Sequence, residues 1–265
     1  MRNPLGKTTA GRDSAGMEWR DEGLLIALRP HGEASAIVEI FTLGHGRHAG
    51  VVRGGGSRKM AATLQPGTQL AVVWRARLDD HLGAFTVEPL QSRAGLMEDR
   101  LALLGLGAVC AMLRLALPER APAPGLWQPT LGLLAAMEAG AADWPLAYLR
   151  WELLLLEETG FGLDLSRCAV TGARDDLAYV SPRSGRAVSR AGAGDWAPRL
   201  LPLPVAMLGQ GPADRAEVMQ GLAITGHFLD RGWQPVLNGR SLPEARTRLV
   251  AALARQAGTA EGALG

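Results

Sequence analysis

The stretch from Asp143 to Gly162, DWPLAYLRWELLLLEETGFG, limits the folds open to this chain more than any other. Leu146, Leu149, Leu153 and Leu156 recur at helical spacing. Trp151, Leu154 and Leu155 widen that stripe towards an all-round apolar surface, so the helix belongs at the centre of a bundle. Asp143 is placed to cap it, and Pro145 falls in the first turn, where a missing N–H is harmless. Gly160 is placed as its left-handed terminator. A short polar segment rich in Arg, Gly and Ser follows, with one cysteine, Cys168. A buried helix therefore carries a basic loop at its end.

Upstream the pattern is of strands. Gly23 to Leu28 is an apolar run, and Ala36 to Thr42 alternates, with Ile37 and Phe41 among its β-formers. Arg47 to Arg53 follows the tight turn Gly44-His45-Gly46. Gln69 to Ala76 carries Val72, Val73 and Trp74, and Ala84 to Leu90 carries Phe85 and Val87. Ser57 to Leu64 reads as a short helix and Pro66-Gly67 as a turn. Five strands with a helix between the third and fourth match the plan of an OB-fold β-barrel over residues 17–92. Such barrels often bind single-stranded nucleic acid, although a fold does not by itself assign a function.

Helical periodicity then takes over, making the chain an α+β multidomain protein. Residues 93–162 and 200–256 form an all-helical domain: Leu96 to Leu117, Leu126 to Ala139, the central helix, Asp214 to Leu229, and a last helix through Arg255. Ser241-Leu242-Pro243-Glu244 reads as the capping box of that last helix, and Leu200 to Leu208 as a surface linker. Residues 163–199 are an insertion and residues 257–265 a flexible tail. Residues 1–16 are polar and Gly-rich and are expected to be a disordered extension, with Met17 as the functional start. Gly6-Lys7-Thr8-Thr9 resembles the end of a phosphate-binding loop, but Met1 stands where its first glycine belongs and no strand precedes it.

Composition excludes several classes. Two cysteines in 265 residues, Cys110 and Cys168, cannot form a disulfide framework and fit a reducing cytoplasm. The longest uncharged apolar run, Leu101 to Leu113, is too short to span a membrane, and no secretory signal is evident. No paired carboxylates in a Gly-rich setting, nucleophile elbow or metal-ligand cluster suggests catalysis; Asp175-Asp176 reads as a solvated pair. His45 and His48 lack further ligands nearby and read as solvated turn residues. The expectation is a protein without catalytic residues, cofactor or membrane contact.

Net charge is only +2, so the distribution carries the information. Between Arg47 and Arg77 lie Arg47, Arg53, Arg58, Lys59, Arg75 and Arg77, with no Asp or Glu. An uninterrupted basic segment can track a phosphate backbone, and Gly54-Gly55-Gly56 would let the backbone approach one closely. Arg29 is placed at the edge of this surface, and the Arg183, Arg186 and Arg190 loop is the next candidate. The alternative is a solvated face against which Glu33, Glu39 and Asp79 fold.

The order and spacing of several short motifs resemble the RecO family of bacterial recombination mediators. They are Glu22-Gly23, Arg29-Pro30-His31-Gly32-Glu33, Thr42 to Arg47, Arg53-Gly54-Gly55-Gly56-Ser57, Leu64-Gln65-Pro66-Gly67, Leu117-Pro118-Glu119 and Gly160-Phe161-Gly162-Leu163. Cys168-Ala169-Val170-Thr171-Gly172, Tyr179-Val180-Ser181-Pro182 and Ser184 to Ser189 add to them. The resemblance implies an N-terminal OB-fold, a helical middle and a small zinc-finger-like insertion. It implies a non-enzymatic, cytoplasmic protein, nucleoid-associated during repair. Such a protein binds single- and double-stranded DNA, anneals strands, and contacts RecR and the C-terminal tail of single-stranded DNA-binding protein. It thereby loads RecA in the RecF pathway. Some relatives hold the insertion with two Cys-x-x-Cys pairs and zinc. Here Cys168 faces Thr171, Ser189 and Gly192 at the matching positions, so no metal is expected, and packing of Leu177, Tyr179 and Val188 must hold the loop. An acidic, Phe-ended tail would dock where an apolar helical groove meets a cation, for which Arg114 and Arg150 are candidates beside the reading that both are solvated charges. The competing function is an adaptor between RecR and single-stranded DNA-binding protein with weak DNA contact of its own.

Overall fold

The computed structural model describes residues 17–78, 80–209 and 213–261, with side chains through residue 256. The expected extension 1–16, with Gly6-Lys7-Thr8-Thr9, and Asp79 lie outside the described residues. The α+β expectation holds: a sheet domain precedes a helical one.

Five strands close into a barrel in the order β1-β2-β3-β5-β4: β1 Met17–His31, β2 Ser35–Thr42, β3 Gly46–Val52, β4 Gln69–Ala76 and β5 Ala84–Gln91. The first strand is longer than its apolar run because it serves two neighbours. Its first half pairs with β4 and its second with β2, and a bulge between Leu25 and Ala27 bends it at the change. A parallel contact, Val51 against Ala84, closes the barrel. Successive strand residues face opposite ways. Leu25, Val38, Ile40, Leu70, Val72, Trp74 and Phe85 fill the interior. Leu24, Ile26 and Phe41 belong to the helical core instead. The consecutive buried residues of β1 thus mark a strand covered on both faces.

Of the two histidines expected to be solvated, His48 is buried and His45 is only partly exposed. His48 is 2% exposed and lies edge-on to Trp74 at 4.7 Å. The His45 ring stacks on Trp19 at 3.9 Å and hydrogen-bonds Asp21 at 2.8 Å.

A four-residue helix, α1 Arg58–Ala61, follows β3, with Ser57 at its N-cap. The helical part begins with α2 Arg100–Ala116, α3 Pro124–Glu138 and α4 Trp144–Glu158. The Asp99 carboxylate caps α2 by accepting from Leu101 and Ala102 N–H. At α4 the expected Asp143 side-chain cap is not made. Pro145 does sit in the first turn, and Gly160 has φ +82°.

After the insertion come α6 Arg215–Gly232, α7 Gln234–Leu237 and α8 Glu244–Glu261. The last helix starts at Glu244, three residues beyond the expected cap Ser241, and Glu244 pairs with Arg248. It continues through Glu261, so the tail expected from residue 257 begins as helix; residues 262–265 lie outside the described ones.

The central helix is buried as expected, with Trp144, Tyr148, Leu149, Trp151, Leu155 and Leu156 inside. So is Glu152, wholly removed from solvent. Arg246 of α8 grips it with two hydrogen bonds of 2.7 and 2.8 Å, and the Thr225 hydroxyl of α6 donates a third. A buried ion left without its partner costs about 3–5 kcal/mol, so this pair holds α4, α6 and α8 in one register.

The insertion adds β6 Leu177–Val180, β7 Ala187–Ser189, α5 Arg190–Ala193 and a 3-10 turn, Gly194–Arg199. The expected surface linker is part of it. Leu201–Pro202 forms β8, completing a sheet in the order β7-β6-β8, and Leu203, Ala206 and Met207 are buried. Leu177, Tyr179 and Val188 pack together around Cys168 and Ala193, while Val180 and Ala187 reach the helical core.

Barrel and helices are joined through Glu39 on β2. One carboxylate oxygen accepts from Arg47 of β3 at 2.8 Å, and the other from Arg114 of α2 at 2.7 and 3.2 Å. Arg47 also donates to the Leu117 carbonyl, and its own carbonyl accepts from Arg120 N–H. The loop after α2 comes so close that a Cβ on Gly46 would meet the Ala121 carbonyl oxygen at 2.0 Å. Burial works to raise the Glu39 pKa, but the Arg114 and Arg47 guanidiniums outweigh it and hold the carboxyl below its ordinary range. Such a group stabilises the fold above its unfolded pKa, about 4.3, and that contribution fades as pH falls through the folded value. The stability gap between wild type and Glu39→Gln should therefore be full at neutral pH and shrink below about pH 4. Urea unfolding at neutral and acid pH measures it, and a gap undiminished in acid contradicts the clamp.

Candidate nucleic-acid interface

Arg53, Arg75 and Arg77 line one cleft of about 790 Å³ on the barrel, with Met60 of α1 at its rim and Phe85 and Val87 in its wall. Strand register explains the grouping. Arg75 and Ala84 are paired partners on β4 and β5, and Arg53 directly follows β3, the other neighbour of β5. Arg58 and Lys59 are exposed on α1, the short helix that carries Met60. Among the described residues Arg53, Arg58, Lys59 and Arg77 have no ion-pair partner. Gly54, at φ +70° with open space beside it, leaves the backbone next to Arg53 accessible, whereas Gly55 is needed for packing on Ala36 and Leu64.

Glu18 is the acid in this lining. It stands opposite Arg75 in the β1–β4 register and accepts a 2.6 Å hydrogen bond from it, which holds the carboxyl below its usual range. The pair is exposed, so Arg75 can exchange Glu18 for a phosphate at little cost. Sequence reading missed Glu18 because strand register decides the pairing.

Two predicted residues fall elsewhere. Arg47 is directed away from the cleft, half-buried in the Glu39 clamp with one side on the Leu117 carbonyl. A basic segment without internal acids is thus partly neutralised from outside, by Glu39 rather than Glu33. Arg29 is exposed on the second half of β1 and does not line the cleft. The loop Gly54–Gly56 and the β1–β2 turn are nonetheless tied by the Gly56 N–H to Ala34 carbonyl bond.

The two cations named for a partner also separate. Arg114 is held by Glu39 and is a structural residue of the barrel–helix joint. Arg150 is exposed at the edge of a groove of about 660 Å³ whose apolar walls are Leu153, Leu154, Leu163, Leu165 and Met207. Glu157 and Asp164 border the same groove, and Asp164 is within 3.5 Å of Arg186. In the insertion loop Arg190 pairs with Asp176 at 3.4 Å, while Arg183 lines a small pocket with Phe228 and Arg231.

The four positions around Cys168 do converge. The thiol sulfur accepts from the Ser189 hydroxyl at 3.3 Å and from the Val170 and Thr171 N–H groups at 3.4 Å. A Cβ on Gly192 would lie 2.8 Å from that sulfur. Burial opposes the thiolate, but the hydrogen bonds from Ser189 and Thr171 outweigh it and bring the Cys168 pKa down to about 6. Structural zinc takes four nitrogen or sulfur ligands. One thiol, two hydroxyls and a glycine do not fit it, and hydrogen bonding does the work of holding the turns. Among the described residues no group of three His, Cys, Asp or Glu side chains is arranged for a metal, and no helix is long and apolar enough to cross a membrane.

Comparison with known proteins supplies the family. Residues 17–93 match the model for the N-terminal domain of recombination protein O, and residues 97–238 match that for its C-terminal domain. A protein of Cereibacter sphaeroides named DNA repair protein RecO is 67% identical over 239 residues, 90% of this chain and 99% of that one. Proteins of the same name from a Ruegeria and a Jannaschia species are 57% and 58% identical. The alignments cover 91% of this chain with each, and 100% and 98% of those relatives. The chain belongs to the RecO family.

Proposed function

We propose that this chain is a DNA-binding recombination mediator in repair, whose barrel follows a phosphate backbone while its helical part receives protein partners. The observation that supports this is the barrel cleft: Arg53 and Arg77, flanked by Arg58 and Lys59, face solvent with no ion-pair partner among the described residues. A closed barrel with α1 between β3 and β4 follows the OB-fold plan, in which basic grooves track single strands. The segment 163–199 reads as a zinc-finger-like insertion without its metal ligands. The relatives' printed name, DNA repair protein, agrees with the role.

In this reading the protein binds single- and double-stranded DNA and promotes annealing. With RecR and the acidic tail of single-stranded DNA-binding protein, it helps load RecA in the RecF pathway. It works in the bacterial cytoplasm, at the nucleoid during repair, without catalysis or a cofactor. The second reading is an adaptor with weak DNA contact, and the engagement of Arg47 by Glu39 is the observation in its favour.

About four phosphates engaged on a single strand give a slope of log affinity against log salt on the order of −3. Replacing Arg58 and Lys59 together by Ala should lower the slope magnitude by roughly 1.4 without changing sequence preference. Arg47→Ala should lower stability and leave the slope alone. Anisotropy titrations of a labelled oligonucleotide at several salt concentrations measure both, and an unchanged slope in the folded double variant places the strand elsewhere. Arg150 gives a separate expectation. Arg150→Glu should weaken binding of an acidic, Phe-ended peptide by about 1.5 kcal/mol, roughly tenfold. Unaltered peptide affinity removes this groove as the tail site.

A further inference from the structure

We infer that Trp196 and Arg199, on the insertion, form a stacking platform for an unpaired base, a second strand contact outside the barrel cleft. Of the seven tryptophans, Trp74, Trp127, Trp144, Trp151 and Trp233 are buried and Trp19 is partly covered. Trp196 is 63% exposed. It is not exposed through slackness. The 3-10 turn Gly194–Arg199 that carries it is anchored by Ala193 and Ala197, which pack into the small core around Cys168 and Val188. Arg199, one 3-10 turn further on, lays its guanidinium over one face of the Trp196 ring, 5.0 Å from the centroid, fixing the ring by a cation–π contact, so a base stacks on the opposite face. An aromatic face backed by a cation suits a base and its phosphate, because every base has a π-face and every link a negative charge.

The composition of the insertion favours a polyanion over a protein partner. Residues 163–199 hold six arginines, Arg167, Arg174, Arg183, Arg186, Arg190 and Arg199, against four aspartates, Asp164, Asp175, Asp176 and Asp195. Arg167 adjoins Cys168 and Arg174 adjoins Ala173, both of the same small core, and both arginines are exposed. The pairs Arg186–Asp164 and Arg190–Asp176 are open to solvent at 3.5 and 3.4 Å and hold their arginines weakly. Asp195 precedes Trp196 and is the one acid on its turn.

This platform rests on the DNA-binding reading above, so its test must separate the two. Binding is measured for a short oligothymidylate and for an abasic strand with the same number of phosphates, on wild type, Trp196→Ala and Trp196→Phe. Wild type should prefer the strand with bases by at least about fivefold. Trp196→Ala should lose that preference while keeping its salt slope, and Trp196→Phe should retain part of it. A Trp196→Ala protein that keeps the full preference overturns the platform, including the case in which Trp196 serves a protein partner. Binding of both strands with equal affinity by wild type also overturns it and leaves the cleft proposal standing. Failure of wild type to bind either strand overturns both.

Discussion

Glu39 is the residue on which the arrangement of this molecule depends. It projects from the barrel wall and takes guanidinium groups from two sides, Arg47 of its own sheet and Arg114 of the helical part. Each is a charge-assisted hydrogen bond at a half-buried site, where such contacts are stronger than in open water. The clamp sits beside apolar contact, with Phe41 edge-on to Trp127 at 5.5 Å and Leu24 and Ile26 in the helical core. Hydrophobic burial supplies attraction without direction, and the two-sided clamp on Glu39 supplies the direction. The barrel cleft and the Arg150 groove are thereby held at a fixed relation to each other.

The same clamp decides which cations remain for ligands. Arg47 and Arg53 look alike in the sequence, both in a basic segment and six residues apart on or beside one strand. Their fates differ because Glu39, diagonal to Arg47 on the neighbouring strand, reaches one of them. Arg114 and Arg150 look alike too, both on apolar helices, and the partner that separates them is 75 residues from Arg114 in the chain. Among the described residues, the cleft group and Arg150 at the groove stay available to ligands. Charge inside the helical core follows the same logic. Glu152 is tolerated in an apolar helix because Arg246, 94 residues on, meets it with paired hydrogen bonds.

Much of this was legible locally. An apolar run, one alternating stretch, a tight turn and clusters of β-formers marked the five strands, the stretch from Ser57 marked the short helix, and the apolar breadth of α4 marked the centre of the bundle. The resemblance to RecO proteins marked Cys168, Thr171, Ser189 and Gly192 as four matching positions, and they do meet in space. What escaped was decided by distant partners or by very short elements. Leu201–Pro202 is a two-residue strand between prolines, too short for any periodicity. His48 could have been found, since strict alternation along β3 puts it on the inner face with Gly50 and Val52. Trp196 could also have been singled out as a large aromatic in a polar Arg-rich loop, a residue that neither a core nor a solvated face requires.

The central claim is that the free cations of the cleft receive the strand while the clamped ones hold the barrel in place. Amide hydrogen exchange with and without a single-stranded oligonucleotide tests it most directly. Protection should rise in the segments holding Arg53 to Met60 and Arg75 to Arg77, and stay unchanged from Arg114 to Ala121. Protection concentrated at Arg114 to Ala121, with the cleft segments unaffected, would contradict the account.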